Sequence, residues 1–310
     1  MINPRVSFII PTFRRPDFLK EAIDSVLNQD EKNLEIVVID DDPVNNSVTS
    51  KIIESYNSDK IVYIQNRKNL GPGYSRQAGL SASKSAFVVF MDDDDFYVDT
   101  SFVSRALSIL ENQQENIAFV AFNAYDYNQR TGEKTKGRGF IETRHISKEY
   151  YIKHFMLDVP KPKSTFTAVF NKKKLYKSGI SEVKMLNDTV IYLRALISGD
   201  AVLNATYIGC YRVHQRNITK TVSADFIVRN LNEKVLIAKK LSMSGLKRQI
   251  WLYNQSKSTI LYFMSNSDKY NELPEIQRWI GSQNFITRIL LVLRVKVAET
   301  QKLSSEHRGG

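Results

Sequence analysis

The chain has 310 residues, with 44 Lys and Arg against 33 Asp and Glu, a formal charge of +11, and 42% hydrophobic and 11% aromatic residues. At roughly 150 residues per domain this is length for about two domains with a sizeable core, and the composition excludes collagen, low-complexity disorder and a disulfide scaffold. One cysteine, Cys210, cannot form a bridge within the chain, so a reducing compartment is expected to suit the fold.

Val6 to Ile10 is a β-branched run closed by Pro11, too short for the apolar stretch of a signal peptide. No stretch approaches the ~18 uninterrupted apolar residues of a spanning helix. The expected location is cytoplasmic, or peripheral on the inner face of the cell membrane. Phe18, Ala22, Ile23, Val26 and Leu27 then repeat with helical spacing, and Ile36 to Ile39 predicts a second strand that ends at Asp40, Asp41 and Asp42. Ile52 to Tyr56 reads as helix, Ile61 to Ile64 as a third strand and Ala78 to Ala82 as part of another helix. Phe87 to Met91 reads as a buried strand running into Asp92, Asp93, Asp94 and Asp95. TGEKTKG at 131–137 predicts a hairpin between two strand-like runs. Short apolar strands alternating with helices predict an α/β fold, a mostly parallel, doubly wound sheet of Rossmann-like type covered on both faces.

From Lys220 onward 15 Lys and Arg face 7 Asp and Glu, so most of the excess charge lies in the last third. There Phe226, Ile227, Leu231, Val235, Ala238 and Leu241, then Leu246, Ile250 and Tyr253, recur at helical steps, and a third helix is expected over roughly Ile276 to Val297. The expected organisation is a domain over 1–218 followed by a basic helical region over 219–310, suited to an anionic membrane surface or to a homo-oligomer.

Polar residues follow the strands directly: Thr12 after the first, Asp40 to Asp42 after the second, Asp92 to Asp95 after the fourth. In open parallel sheets ligands bind beyond the carboxyl ends of the strands, so these residues should converge. Four consecutive aspartates repel one another by on the order of several kcal/mol unless a cation neutralises them. An oxygen-only set suits Mg2+ or Mn2+ bridging a diphosphate, whereas zinc would want His and Cys.

Four motifs, PTFRRPDFLKEAIDSVLNQ at 11–29, EIVVIDDDP at 35–43, NLGPGYSRQAGL at 69–80 and FMDDDD at 90–95, resemble in order and spacing the nucleotide-binding half of the family 2 glycosyltransferases. Those are inverting enzymes of the GT-A fold that use a nucleotide-diphosphate sugar; the resemblance covers about residues 5–215. It implies that Pro11, Thr12 and Phe13 form a nucleotide-contacting loop, with Phe13 against the base, that Asp41 accepts from the base edge, and that Arg76 approaches the base or diphosphate. Asp42 has turn chemistry as its ordinary alternative, and Gly71 and Gly73 serve a close approach or a turn. The resemblance also implies that Asp94 is a direct metal ligand, that Asp92 or Asp93 holds the ribose or a metal-bound water, and that Asp95 caps a following helix.

Relatives place the catalytic base in an E-D pair at a helix start about ninety residues beyond the acidic signature; here that segment reads VKMLNDTVIYLRALISG. Asp188 is thus the candidate base, with Asn187 where glutamate is common, and an N-cap role for Asp188 as the alternative. His214, in YRVHQRNIT, would complete the metal shell or touch the diphosphate, as would Arg212, or make a structural hydrogen bond. The loop Asp158 to Ser164 would line the acceptor side. QRW at 277–279 lacks the spacing of the processive synthases' signature, so a single-addition enzyme is implied, with a UDP-sugar donor and a glycan or lipid-linked saccharide acceptor of a bacterial cell surface. The competing readings are a non-catalytic nucleotide-sugar-binding module, prompted by Asn187, and a basic nucleic-acid-binding protein. The second lacks any recognised motif, so no nucleic acid is expected as partner.

Overall fold

The structure is a computed structural model that describes residues 3–44, 46–112, 116–214, 222–266 and 272–306. The chain divides after His214 into two compact units.

The first unit runs β1 (Val6–Thr12), α1 (Pro16–Leu27), β2 (Leu34–Asp40), α2 (Asn46–Ser55), β3 (Ile61–Gln65), α3 (Pro72–Ala82), β4 (Phe87–Phe90), β5 (Phe96–Tyr97) and α4 (Phe102–Leu110). It continues with β6 (Ile117–Asn128), β7 (Lys134–Lys136), β8 (Arg144–Ile146), α5 (Lys148–His154), β9 (Ala168–Asn171), α6 (Lys172–Lys177), α7 (Asp188–Ser198) and β10 (Asp200–Val213). The ten strands among the described residues form one sheet, ordered β3-β2-β1-β4-β9-β6-β10-β5, with β7 on β6 and β8 on β10. Strands β1 to β4 pair in parallel, as do β6 and β10, but β9 runs antiparallel between β4 and β6. The sheet is therefore mixed; apolar patterning marks where a strand lies and carries no sign of its direction.

Alternation along the strands divides the core. Phe8, Ile10, Ile36 and Val38 pack with Leu19, Ala22, Ile23 and Val26 of α1 and with Phe102, Val103 and Ala106 of α4. Each such fully buried large side chain contributes about 1.5–3 kcal/mol. On the other face α3 lies close over Ile9 because Gly79 has no side chain: a Cβ there would stand 2.3 Å from Ile9 Cγ2. Tyr192 of α7 packs on the same side against Phe119 and Phe170, with ring centroids 5.1 and 5.2 Å apart. Helices on both faces leave the carboxyl ends of β1, β2 and β4 as the place where polar groups collect. The hairpin expected at 131–137 is present, with Lys134 paired to Tyr127 and Lys136 to Tyr125.

The second unit contains α8 (Ala224–Lys240), α9 (Gly245–Asn266), α10 (Leu273–Gly281) and α11 (Phe285–Glu306). Ile227, Leu231, Ile260, Phe263, Ile276, Trp279 and Leu291 share its core. The single helix expected over Ile276 to Val297 is two helices. The Ser282 N–H closes the last turn of α10 onto the Arg278 carbonyl, and Asn284 Oδ1 accepts the Thr287 N–H at 3.0 Å to start α11. Trp279 of the QRW triplet is a core residue whose indole N–H donates to Asn232 Oδ1 at 2.8 Å. Among the described residues no helix is long and apolar enough to cross a membrane.

Candidate active site

The site begins at three strand ends. β1 finishes at Thr12, whose hydroxyl donates to Asp93 Oδ2 at 2.7 Å. Pro11, one residue earlier, is buried within β1 beside Ile39 of β2, whereas Phe13 is open to solvent with the Arg14 guanidinium 4.9 Å from its ring centroid. β2 finishes at Asp40, which accepts from the Tyr63 hydroxyl and from the Asp42 N–H. Asp42 makes a turn, accepting the Val44 N–H, and also pairs with Arg14 at 2.7 Å.

The two oxygens of Asp41 accept from Asn66 Nδ2 at 2.7 Å, from the Leu70 N–H, and from the Gly71 N–H at 2.6 Å. Those bonds tie the carboxylate to the 66–71 loop, which enters α3 through Gly71 at φ 84°, a conformation that favours glycine. Asp41 thereby shapes the loop, and its two oxygens still have acceptor capacity beyond these three donors.

After β4 the turn Asp92 to Asp95 folds back so that one oxygen from each of Asp92, Asp94 and Asp95 lies within 4.8 Å of the others. Asp93 turns away toward Thr12 and Arg15, and Arg15 also reaches Asp94 at 2.7 Å. Asp95 is followed by β5, not by a helix, so the capping role expected for it does not arise. Instead it is buried, accepts the Arg212 N–H through Oδ1, and has no hydrogen-bond partner at Oδ2 among the described residues. His214 Nε2 lies 2.9 Å from Asp94 Oδ2.

Burial, then the neighbouring Asp94 charge, pushes Asp93 up to about 7. Burial likewise raises Asp95, well above the carboxylate range, and Asp92, with repulsion among the aspartates adding to both. A buried, unpartnered carboxylate oxygen among crowded acids is what a hard cation corrects. The all-oxygen donor set of Asp92, Asp94 and Asp95 therefore fits Mg2+ or Mn2+.

On the opposite wall Arg76, buried in α3, pairs with Asp92 and stands 3.7 Å from Asp188 Oδ1. Desolvation works against its charge, but Asp92 and Asp188 outweigh it and the guanidinium is held more firmly protonated than usual. Asp188 is the first residue of α7. It does not cap the helix, because Asn187 Oδ1 takes the Val190 N–H at 3.1 Å. Lys161 Nζ approaches its other oxygen at 3.6 Å and lies 5.7 Å from the Tyr192 ring centroid. Burial lowers the Lys161 ammonium and Asp188 partly restores it. Gly73 of α3 lets this wall close: its carbonyl accepts the Leu186 N–H at 3.0 Å, and a Cβ there would stand 2.4 Å from Met185 Cγ.

The structure thus gathers Thr12, Arg76, Asp92, Asp93, Asp94, Asp188 and His214 in one linked network. Arg212, weighed beside His214, does not face into it; buried, it bonds the Asp94 carbonyl, Glu21 and Gln129 and lies over Phe18 and Phe96, bracing the acidic turn. Arg15 and Lys161 are not singled out by the sequence. Arg15 stands within the PTFRRP motif, and Lys161 within the loop assigned to the acceptor side, but neither position shows which carboxylate it meets.

The profile of the family described as Glycosyl transferase family 2 matches residues 7–179. The chain belongs to glycosyltransferase family 2. Among family 2 relatives it is 30% identical over 195 residues to the GalNAc(5)-diNAcBac-PP-undecaprenol beta-1,3-glucosyltransferase of Campylobacter jejuni, covering 61% of this chain and 59% of that one. It is 32% identical over 163 residues to the minor teichoic acid biosynthesis protein GgaA of Bacillus subtilis, covering 49% of this chain and 35% of that protein. The matches therefore span less than two thirds of these relatives. In fold the chain is similar to S. aureus TarS 1-349 in complex with UDP-GlcNAc, with TM-score 0.65 and 19% identity over 89% of this chain and 79% of the other. It is also similar to the mannosyltransferase PcManGT of Pyrobaculum calidifontis in complex with GDP-Man and Mn2+, with TM-score 0.55 and 14% identity over 96% and 81% of the two chains. The GT-A type α/β fold expected of a family 2 member is the fold observed.

Proposed function

We propose that this family 2 member transfers a single sugar from a UDP-sugar to a saccharide acceptor, free or lipid-linked, in the synthesis of a bacterial cell-surface glycan, with inversion at the anomeric carbon. The observation that carries the reading is the placement of Asp188: a carboxylate released from capping by Asn187 and connected through Arg76 to the acidic turn. A carboxylate suited to accept a proton and a charge cluster suited to a diphosphate thus lie in one linked network. The names of the C. jejuni and B. subtilis relatives support an acceptor of this class, and the UDP and UDP-GlcNAc complexes of TarS support the donor.

Phe13 lies against the base, and Thr12 and Arg15 hold Asp93 for the ribose side. Asp94, with Asp92 and Asp95, would hold Mn2+ or Mg2+, which supplies positive charge where the departing diphosphate becomes more negative. His214 orients Asp94. Asp188 takes the acceptor hydroxyl proton as that oxygen forms its bond to the anomeric carbon and the bond from that carbon to the diphosphate oxygen breaks. Arg76 and Lys161 fix the Asp188 carboxylate and keep water from solvating it freely. The test is UDP release from a panel of UDP-sugars with glycan and lipid-linked acceptors. Acceptor-stimulated release by the wild type that Asp188→Asn abolishes supports the proposal; equal release by the two rejects Asp188 as base.

A further inference from the structure

The outer side of α11 is apolar. Thr287, Leu291 and Val295 recur every four residues and are buried in the helical unit, whereas Ile286, Leu290, Leu293 and Val297, spaced four, three and four apart, form a solvent-exposed stripe along another side. Phe285 at 67% and Leu293 at 57% relative exposure are among the most open large apolar side chains of the unit, and Ile289 widens the stripe. Contiguous apolar surface of this kind marks a docking face.

Its charge says for what. From Phe285 to Ala298 the sequence carries Arg288, Arg294 and Lys296 and no acidic residue. A second copy laying the same stripe against this one would bring Arg294 and Lys296 of both chains together with no carboxylate from the segment to meet them. A surface bearing negative charge beside an apolar interior meets both features at once. With no described helix able to span a bilayer, α11 would lie along the surface.

We propose that the α11 face is a monotopic binding site for anionic phospholipid bilayers, with Ile286, Leu290, Leu293 and Val297 entering the headgroup–acyl boundary and Arg294 and Lys296, one on each flank of the stripe, meeting the phosphates. This placement is independent of the chemistry at the acidic turn. The full chain is sedimented with phosphatidylcholine vesicles, with and without about a third phosphatidylglycerol. Binding to the anionic vesicles at least about tenfold tighter than to the neutral ones is expected, weakened by salt. The exposed double substitution Leu290→Ser, Leu293→Ser is expected to reduce it by about tenfold or more while leaving the melting temperature unchanged. Equal binding to both vesicles, no binding, or binding unaffected by the double substitution would overturn the proposal. So would a dimer in sedimentation velocity that the double substitution dissociates, which would give this face to a second copy.

Discussion

Asn187 caps the helix that Asp188 begins: the amide oxygen takes the Val190 N–H at 3.1 Å, and the carboxylate one residue on faces Arg76 and Lys161 instead. The residue that departs from the usual E-D pair thus has a structural task of its own. Asp188→Asn is expected to lower transfer by about a hundred- to ten-thousand-fold while UDP binding persists. Asn187→Ala is expected to cost about 1 kcal/mol of stability through the lost cap. Initial rates and thermal melts of the two variants separate these effects.

Lys161 is held between prolines and shares Asp188 with Arg76. Lys161→Met leaves the carboxylate with one cation, and turnover is expected to fall by about tenfold, the worth of ~1.4 kcal/mol of positioning. Lys161→Arg is expected to restore part of it. Steady-state rates at saturating donor are the measurement.

Gly73 has no room for a methyl group, since Met185 and the Leu186 backbone crowd it. Gly73→Ala must push away the segment that carries Asp188. A destabilisation of about 1–3 kcal/mol, with a loss of transfer larger than the loss of UDP affinity, is expected. Denaturant melts and UDP titrations check it.

The acidic turn gives a pH dependence of definite sign. Asp93 titrates at about 7 in the fold, against about 4 in the unfolded chain. Between those values the folded state holds a proton the unfolded chain has lost, so the contribution of this group to stability is greatest at low pH and is lost as pH rises toward 7. A cation favours the ionised acids, so the rise in melting temperature on adding Mn2+ should grow between about pH 5.5 and 7.5, with proton release. Asp95→Asn should abolish the metal effect and raise metal-free stability at about pH 7.5, because the amide carries no charge for burial and the neighbouring Asp94 and Asp92 to oppose.

Much of this is legible in the residues. Apolar runs locate β1 to β4, and the polar residues following them locate the cluster at the strand ends, because strand ends and acidic turns are local properties. Direction and distance are not: the reversal of β9 depends on its neighbours β4 and β6 in the sheet, whereas the break between α10 and α11 has a local signal in Asn284, which starts a helix. The partners of Asp41, Arg15 and Lys161 lie far along the chain and follow from packing. Asp95 is misread as a cap because an acidic residue after a strand looks the same whether a helix or a two-residue strand comes next.

Lys234 gives the helical unit its own signature. Buried with no carboxylate pairing it among the described residues, it donates to the Gln255 carbonyl at 2.9 Å and to Thr259 Oγ1, and burial lowers it to about 7. The unfolded chain keeps that proton to about pH 10.4, so stability should rise from about pH 7 upward by as much as about 1.4 kcal/mol per pH unit. Lys234→Met should flatten the slope and stabilise the protein at neutral pH, measured by denaturant melts across that range.

The donor site itself is tested most directly by calorimetric titration of UDP into the wild type, Asp95→Asn and Asp188→Asn, each with Mn2+ and with EDTA. Binding by the wild type and Asp188→Asn in Mn2+, lost in EDTA and in Asp95→Asn, is the expected result. UDP binding that ignores the metal and survives Asp95→Asn, or no UDP binding at all, would contradict a metal-assisted nucleotide-sugar site at the acidic turn.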